Sequence, residues 1–156
     1  MHETFEHTAD IGIRVRAHSL PALFEEAAVA MFSAITPNLA EVRPVKELAF
    51  RLSAEGTDYL LLDWLRELLF VFETQRLTFS HFTVRLPAPR PGGTQIGEPL
   101  PGEPELAAAV LEATAIGEAF DPDRHGEGNE VKAVTYHELA VRPEGDGWLA
   151  EFILDI

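Results

Sequence analysis

The chain has 156 residues, with 26 acidic side chains against 12 basic ones, a formal net charge of −14 and no cysteine. That length suits a single domain whose core needs no covalent staple, and the lack of thiols excludes a disulfide framework and any thiolate metal site. The charge works against binding a phosphate backbone, so no direct nucleic-acid contact is expected; it suits solubility, a basic protein partner or a cation.

The first element is a half-buried strand, in which Ile11, Ile13 and Val15 alternate with Arg14 and Arg16. Asp10 stands at its start, either as a turn residue bonding its own backbone or as a ligand. Gly12 within the strand predicts a bulge or the close approach of another backbone. Ser19 is a good N-cap and Pro21 is tolerated in a first turn, so a helix follows, with Leu20, Phe24, Ala27, Ala28, Met31 and Ile35 on its apolar face and Pro37-Asn38 closing it. Val45 to Ser53 reads as a strand with Leu48, Phe50 and Leu52 inward.

Thr57 is the predicted cap of a second helix, from Asp58 to about Thr74, that is apolar nearly all round and therefore buried on most of its surface. Its polar stripe is narrow: Tyr59, Asp63, Arg66, Glu67 and Thr74. Asp63, set among leucines and Trp64, is either a solvated edge or a carboxylate aimed at something. Leu77 to Leu86 is a further strand. Pro87 to Pro104 is too rich in proline and glycine for regular structure and reads as a loop inserted within one domain. The segment 105–120 has both helical propensity and strand alternation, and we read it as a strand; Asp121 to Gly126 reads as a polar loop.

The last 27 residues, Glu130 to Ile156, read as a β-hairpin turning at Glu144-Gly145-Asp146-Gly147. Val131, Ala133, Thr135, His137, Leu139 and Val141 form one face of its first strand, and Lys132, Val134, Tyr136 and Glu138 the other. The return strand ends in two adjacent carboxylates, the Asp155 side chain and the Ile156 main chain, a costly concentration of charge unless water or a cation meets it. If the first and last strands are neighbours, Asp10 joins them, and such an all-oxygen set favours a hard cation: calcium, magnesium or manganese. His137 is read as an ordinary sheet residue or, alternatively, as a ligand or base. There is no Walker loop, GxGxxG or GxSxG, and no histidine pair at zinc spacing. No apolar run reaches membrane-spanning length and no signal peptide opens the chain, so a cytoplasmic location without membrane contact is expected.

Four segments together resemble the archease family: His7-Thr8-Ala9-Asp10-Ile11-Gly12-Ile13, the leucine-rich Leu60 to Leu65, Val131-Lys132-Ala133-Val134-Thr135-Tyr136-His137, and the closing Asp155-Ile156. The resemblance spans nearly the full length in the same order; the stretch 87–104 is longer than the family's usual connection. It implies an α+β fold in a single domain, residues 1–156, with a mixed or antiparallel β-sheet packed on two main helices and closing on the C-terminal hairpin. It also implies a non-catalytic role as protein cofactor of the 3′-phosphate RNA ligase of tRNA splicing and RNA repair. In that role the protein promotes guanylylation of the ligase and so its multiple turnover. The family's divalent cation, typically calcium, would fall here to Asp10, Asp155 and Ile156. His7, Asp63, Lys132, Tyr136 and His137 are the expected supports of that site or contacts with the partner. Two other readings compete: a small metal-dependent hydrolase using Asp10, Asp155, Asp63 and His137, and a chaperone-like binding module.

Overall fold

The structure, a computed structural model, describes residues 10–87 and 109–156. His7 and all but the first residue of the 87–104 loop lie outside that range. Among the described residues, six antiparallel strands divide into two three-stranded sheets. The first is ordered β1-β6-β5, from β1 (Asp10–Ala17), β6 (Gly147–Asp155) and β5 (Ala133–Glu144). The second is ordered β2-β4-β3, from β2 (Lys46–Ala54), β4 (Ala109–Ala119) and β3 (Leu77–Arg85). The expected α+β architecture is present, with its strands in two sheets. The strand reading of segment 105–120 holds for β4.

Helices α1 (Leu20–Ile35) and α2 (Thr57–Gln75) bridge the sheets: α1 packs on edge strands β1 and β3, and α2 on edge strands β5 and β2. Each helix thus closes one side of the core against both sheets, a layered solution that buries one face of every element. The Ser19 side chain caps α1 by accepting from the Ala22 N–H at 3.2 Å. Helix α2 starts one residue earlier than its sequence suggests: Gly56 is the N-cap, Thr57 is the first helical residue, and no side chain caps the end.

The α2 face is the centre of the core. Leu60, Leu61, Leu62, Trp64, Leu65 and Leu68 are at most 2% exposed. The Trp64 indole donates to the Phe24 carbonyl at 3.2 Å, so its one polar group is satisfied across the helix pair. Edge-to-face contacts join Trp64 to Phe50 and Phe82, and Phe32 to Phe79.

At the rim, the segment read as a polar loop contains a short helix, α3 (Pro122–His125), capped by the Asp121 carboxylate. It carries His125 into the interior, fully buried. Four donors meet on Glu118 there: both terminal nitrogens of Arg124 (2.7 and 2.6 Å), the Arg43 N–H (2.8 Å) and His125 Nε2 (3.0 Å). His125 Nδ1 accepts from the Asp121 N–H, which leaves Nε2 as the protonated, donating nitrogen. The Arg124 bonds, with those from Arg43 and His125, hold the Glu118 carboxyl down at about 2 against the opposing effect of burial.

Gly117 on β4 fits because it has no side chain. A Cβ there would run into the Thr78 carbonyl oxygen, backbone against backbone, beside the irregularity in β3 between Phe79 and His81. Gly117→Ala is therefore expected to destabilise the fold by about 1–3 kcal/mol. Urea denaturation checks this; a midpoint equal to the parent's would show that β3 gives way freely.

Candidate metal centre and the surface around it

β1 pairs with β6 in unbroken antiparallel register from Asp10↔Asp155 to Ala17↔Trp148. Ile11, Ile13 and Val15 turn inward onto the core, so Asp10, Gly12, Arg14 and Arg16 share the outer face. The register makes Asp10 and Asp155 direct cross-strand partners on that face. Such partners hold their Cβ atoms about 4.5–5.5 Å apart, where two like charges repel. Among the described residues, neither carboxylate takes part in an ion pair.

Asp155 is on the central strand, with Ala133 as its partner on the other side. The Lys132 N–H donates to the Asp155 carbonyl at 2.7 Å and ties the entry of β5 to this end of the sheet. Ile156 packs its side chain against the core, which holds its main chain beside the pair. The next rung on this face is Gly12↔Ile153, and a Cβ on Gly12 would meet nothing within 4 Å among the described residues. Among the described residues Gly12 thus marks neither a bulge nor a close backbone approach, contrary to the sequence expectation. Beyond it lies a recess of about 320 Å³ lined by Gly12, Ile13, Arg14, Glu138, Glu151, Phe152 and Ile153. Glu151 is shared by Arg14 at 3.3 Å and Arg142 at 3.0 Å, and the Arg14 hydrogen bond leads in holding its carboxyl below the usual range.

The residues fit a hard cation in chemistry: two opposed aspartates, with the main-chain oxygens of Ile156 next to one of them. Among the described residues no three His, Asp or Glu side chains gather closely enough to hold a metal ion. Asp63 and His137 therefore do not join Asp10 and Asp155, and the four-residue site of the hydrolase reading is not assembled. Asp63 is exposed on α2, as a solvated edge.

The strand alternation read through Val131 to Val141 breaks in the structure. Pairing with β6 runs to Thr135↔Ile153 and resumes at Ala140↔Glu151, so residues 136–139 bulge opposite Phe152 alone. Glu138 takes a left-handed φ of +56° within the bulge. His137 is consequently no ordinary sheet residue: it is exposed, with Nε2 4.0 Å from Glu138. Tyr136 is carried onto Tyr59 of α2, ring on ring at 5.5 Å with the hydroxyls 3.0 Å apart. Tyr59 belonged to the polar stripe in the sequence, and nothing local marked it for this contact.

The chain matches the Archease protein family (MTH1598/TM1083) over residues 2–156. The chain belongs to the archease family. It is 39% identical over 156 residues to the protein archease of Methanopyrus kandleri, covering 99% of this chain and 98% of that one. It is 34% identical over 155 residues to the protein archease of Pyrococcus furiosus, covering 99% and 97%. The solution structure of Methanobacterium thermoautotrophicum protein 1598 superposes with a TM-score of 0.71 at 30% identity, covering 97% of this chain and 96% of that one. The archease fold therefore supplies the two sheets, in the first of which Asp10 on β1 meets Asp155 on β6 of the terminal hairpin. No helix among the described residues is long and apolar enough to cross a membrane.

Proposed function

We propose that this archease is a non-catalytic protein cofactor that activates a 3′-phosphate RNA ligase in tRNA splicing or RNA repair. We propose also that it holds a divalent cation, calcium before magnesium or manganese, through Asp10, Asp155 and the main-chain carboxylate of Ile156. The observation that carries the metal reading is the cross-strand pair Asp10↔Asp155. Sheet register forces two carboxylates together, and an all-oxygen set of this kind suits a hard cation. Family membership supports the cofactor role.

When bound, the cation supplies a positive centre at the end of β6. The chain's own contribution is positional. Pairing with β1 and β5 fixes Asp155 on both sides, and the Lys132 N–H anchors the adjoining strand. The net charge of −14 suits docking on a protein whose RNA channel must be basic, and steers the encounter without binding RNA itself.

The test is guanylylation of a purified 3′-phosphate RNA ligase by labelled GTP, with and without the protein. Parent protein should raise guanylylation and allow repeated ligation, while Asp155→Ala should lose about tenfold or more of that effect. Parent protein that leaves the ligase unchanged contradicts the reading. Metal-dependent turnover of phosphate esters by the isolated protein would favour the hydrolase reading instead.

A further inference from the structure

The chain has two tyrosines, and they are stacked on one another at the surface. Tyr136 is 56% exposed and Tyr59 42% exposed. Their hydroxyls are bonded to one another at 3.0 Å and the rings present apolar faces to solvent. Tyr136 opens the irregular stretch 136–139 of β5, two residues after the buried Val134, beside α2.

The surroundings are acidic. Tyr59 is in the first turn of α2 next to Asp58, with Glu55 just ahead of the helix. Its phenol is raised above its ordinary range by the Tyr136 hydrogen bond first, and by the charges of Asp58 and Glu55 among the further causes. Asp63 is exposed one turn further along α2. Arg66, further along α2, gives its Nε–H to the Val134 carbonyl at 3.1 Å.

We infer that the Tyr59–Tyr136 stack, flanked by Glu55, Asp58 and Asp63, is a docking point for an arginine side chain on a basic segment of a protein partner. The inference rests on the proposed role as a docking cofactor and gives that role a contact surface apart from the carboxylate pair. An aromatic face attracts a cation through its quadrupole, and guanidinium does so more favourably than ammonium because it stacks flat and is weakly hydrated. The carboxylates supply hydrogen-bond acceptors for its edge. Exposed tyrosine at a surface is also the residue type that carries binding energy at protein interfaces. A nucleic-acid strand would have stacking platforms here too, but it would bring phosphates against three carboxylates on a protein of net charge −14.

The probe is a short blocked peptide with two arginines among glycines, beside its lysine counterpart and an oligouridylate. Each is titrated into the protein without ligase or metal, while the ring resonances of Tyr59 and Tyr136 are followed by NMR. The arginine peptide should shift both rings and bind more tightly than the lysine peptide. Tyr136→Ala should weaken it about tenfold, whereas Tyr136→Phe, which keeps the ring, should bind like the parent. Shifts that map elsewhere, equal affinity in Tyr136→Ala, or preference for the oligouridylate would overturn the inference. Because neither ligase nor metal is present, such a failure leaves the guanylylation result standing, and failure of guanylylation leaves the peptide result standing.

Discussion

Leu65→Ala or Leu68→Ala is expected to cost the fold about 2–5 kcal/mol. Both side chains are 0% exposed. They lie on the helix that packs against β5 of one sheet and β2 of the other. Truncation removes buried methyl groups and leaves a cavity that the surrounding rings can fill only in part, since Trp64 is pinned by its bond to the Phe24 carbonyl. Chemical denaturation measures the loss. A cost near zero for both variants would mean that α2 does not hold the two sheets together.

Glu118→Gln should be comparably damaging, at about 3 kcal/mol near neutral pH. The carboxylate accepts from Arg124, Arg43 and His125 at once. A glutamine presents an amide N–H₂ to some of those donors and leaves the Arg124 charge without its counterion. The pH dependence distinguishes this from a simple packing fault. Glu118 titrates at about 2 in the folded protein against an ordinary 4.5, so its stabilisation is complete above the ordinary carboxylate range. It is lost as pH falls from about 4.5 through about 2. The gap between parent and Glu118→Gln should therefore narrow over that interval. A gap that stays constant down to pH 2 would show that the charge is not what Glu118 contributes.

The alternation of β1 and β6 was legible in the sequence, but that the two strands are neighbours stood there only as a condition; their pairing, and with it the meeting of Asp10 and Asp155, comes from the structure. Both strands alternate cleanly, and a one-residue slip would turn Ile11, Ile13 and Val15 outward. Ser19 was legible as a cap because its chemistry is local. The start of α2 was not, since Thr57 offered a cap that the chain does not use. The bulge at residues 136–139 was invisible for another reason: the segment alternates well enough to read as a regular strand, and the irregularity exists only in its count against β6. The Glu118–Arg124–His125 network likewise joins a strand to a short helix that reads as loop. Its burial is a tertiary fact that residue type alone argues against. Gly12 was misread in the opposite sense, because a glycine with nothing close to it among the described residues looks the same in sequence as one that is crowded.

The thermal melt of the parent protein, Asp10→Ala and Asp155→Ala, each in calcium and in chelator, bears most directly on the carboxylate site. A cation bound by the folded chain and not by the unfolded one raises the melting temperature by linkage, in proportion to the logarithm of its concentration once above the dissociation constant. The parent should melt higher in calcium than in chelator, and both variants should lose most of that rise. A C-terminal extension, which turns the Ile156 carboxylate into a neutral carbonyl, should reduce it, while an N-terminal tag should not. In chelator the two variants should melt at or above the parent, since each removes one member of a like-charged cross-strand pair. A parent that melts identically in calcium and chelator, or aspartate variants that respond to calcium as the parent does, would contradict a cation held between Asp10 and Asp155.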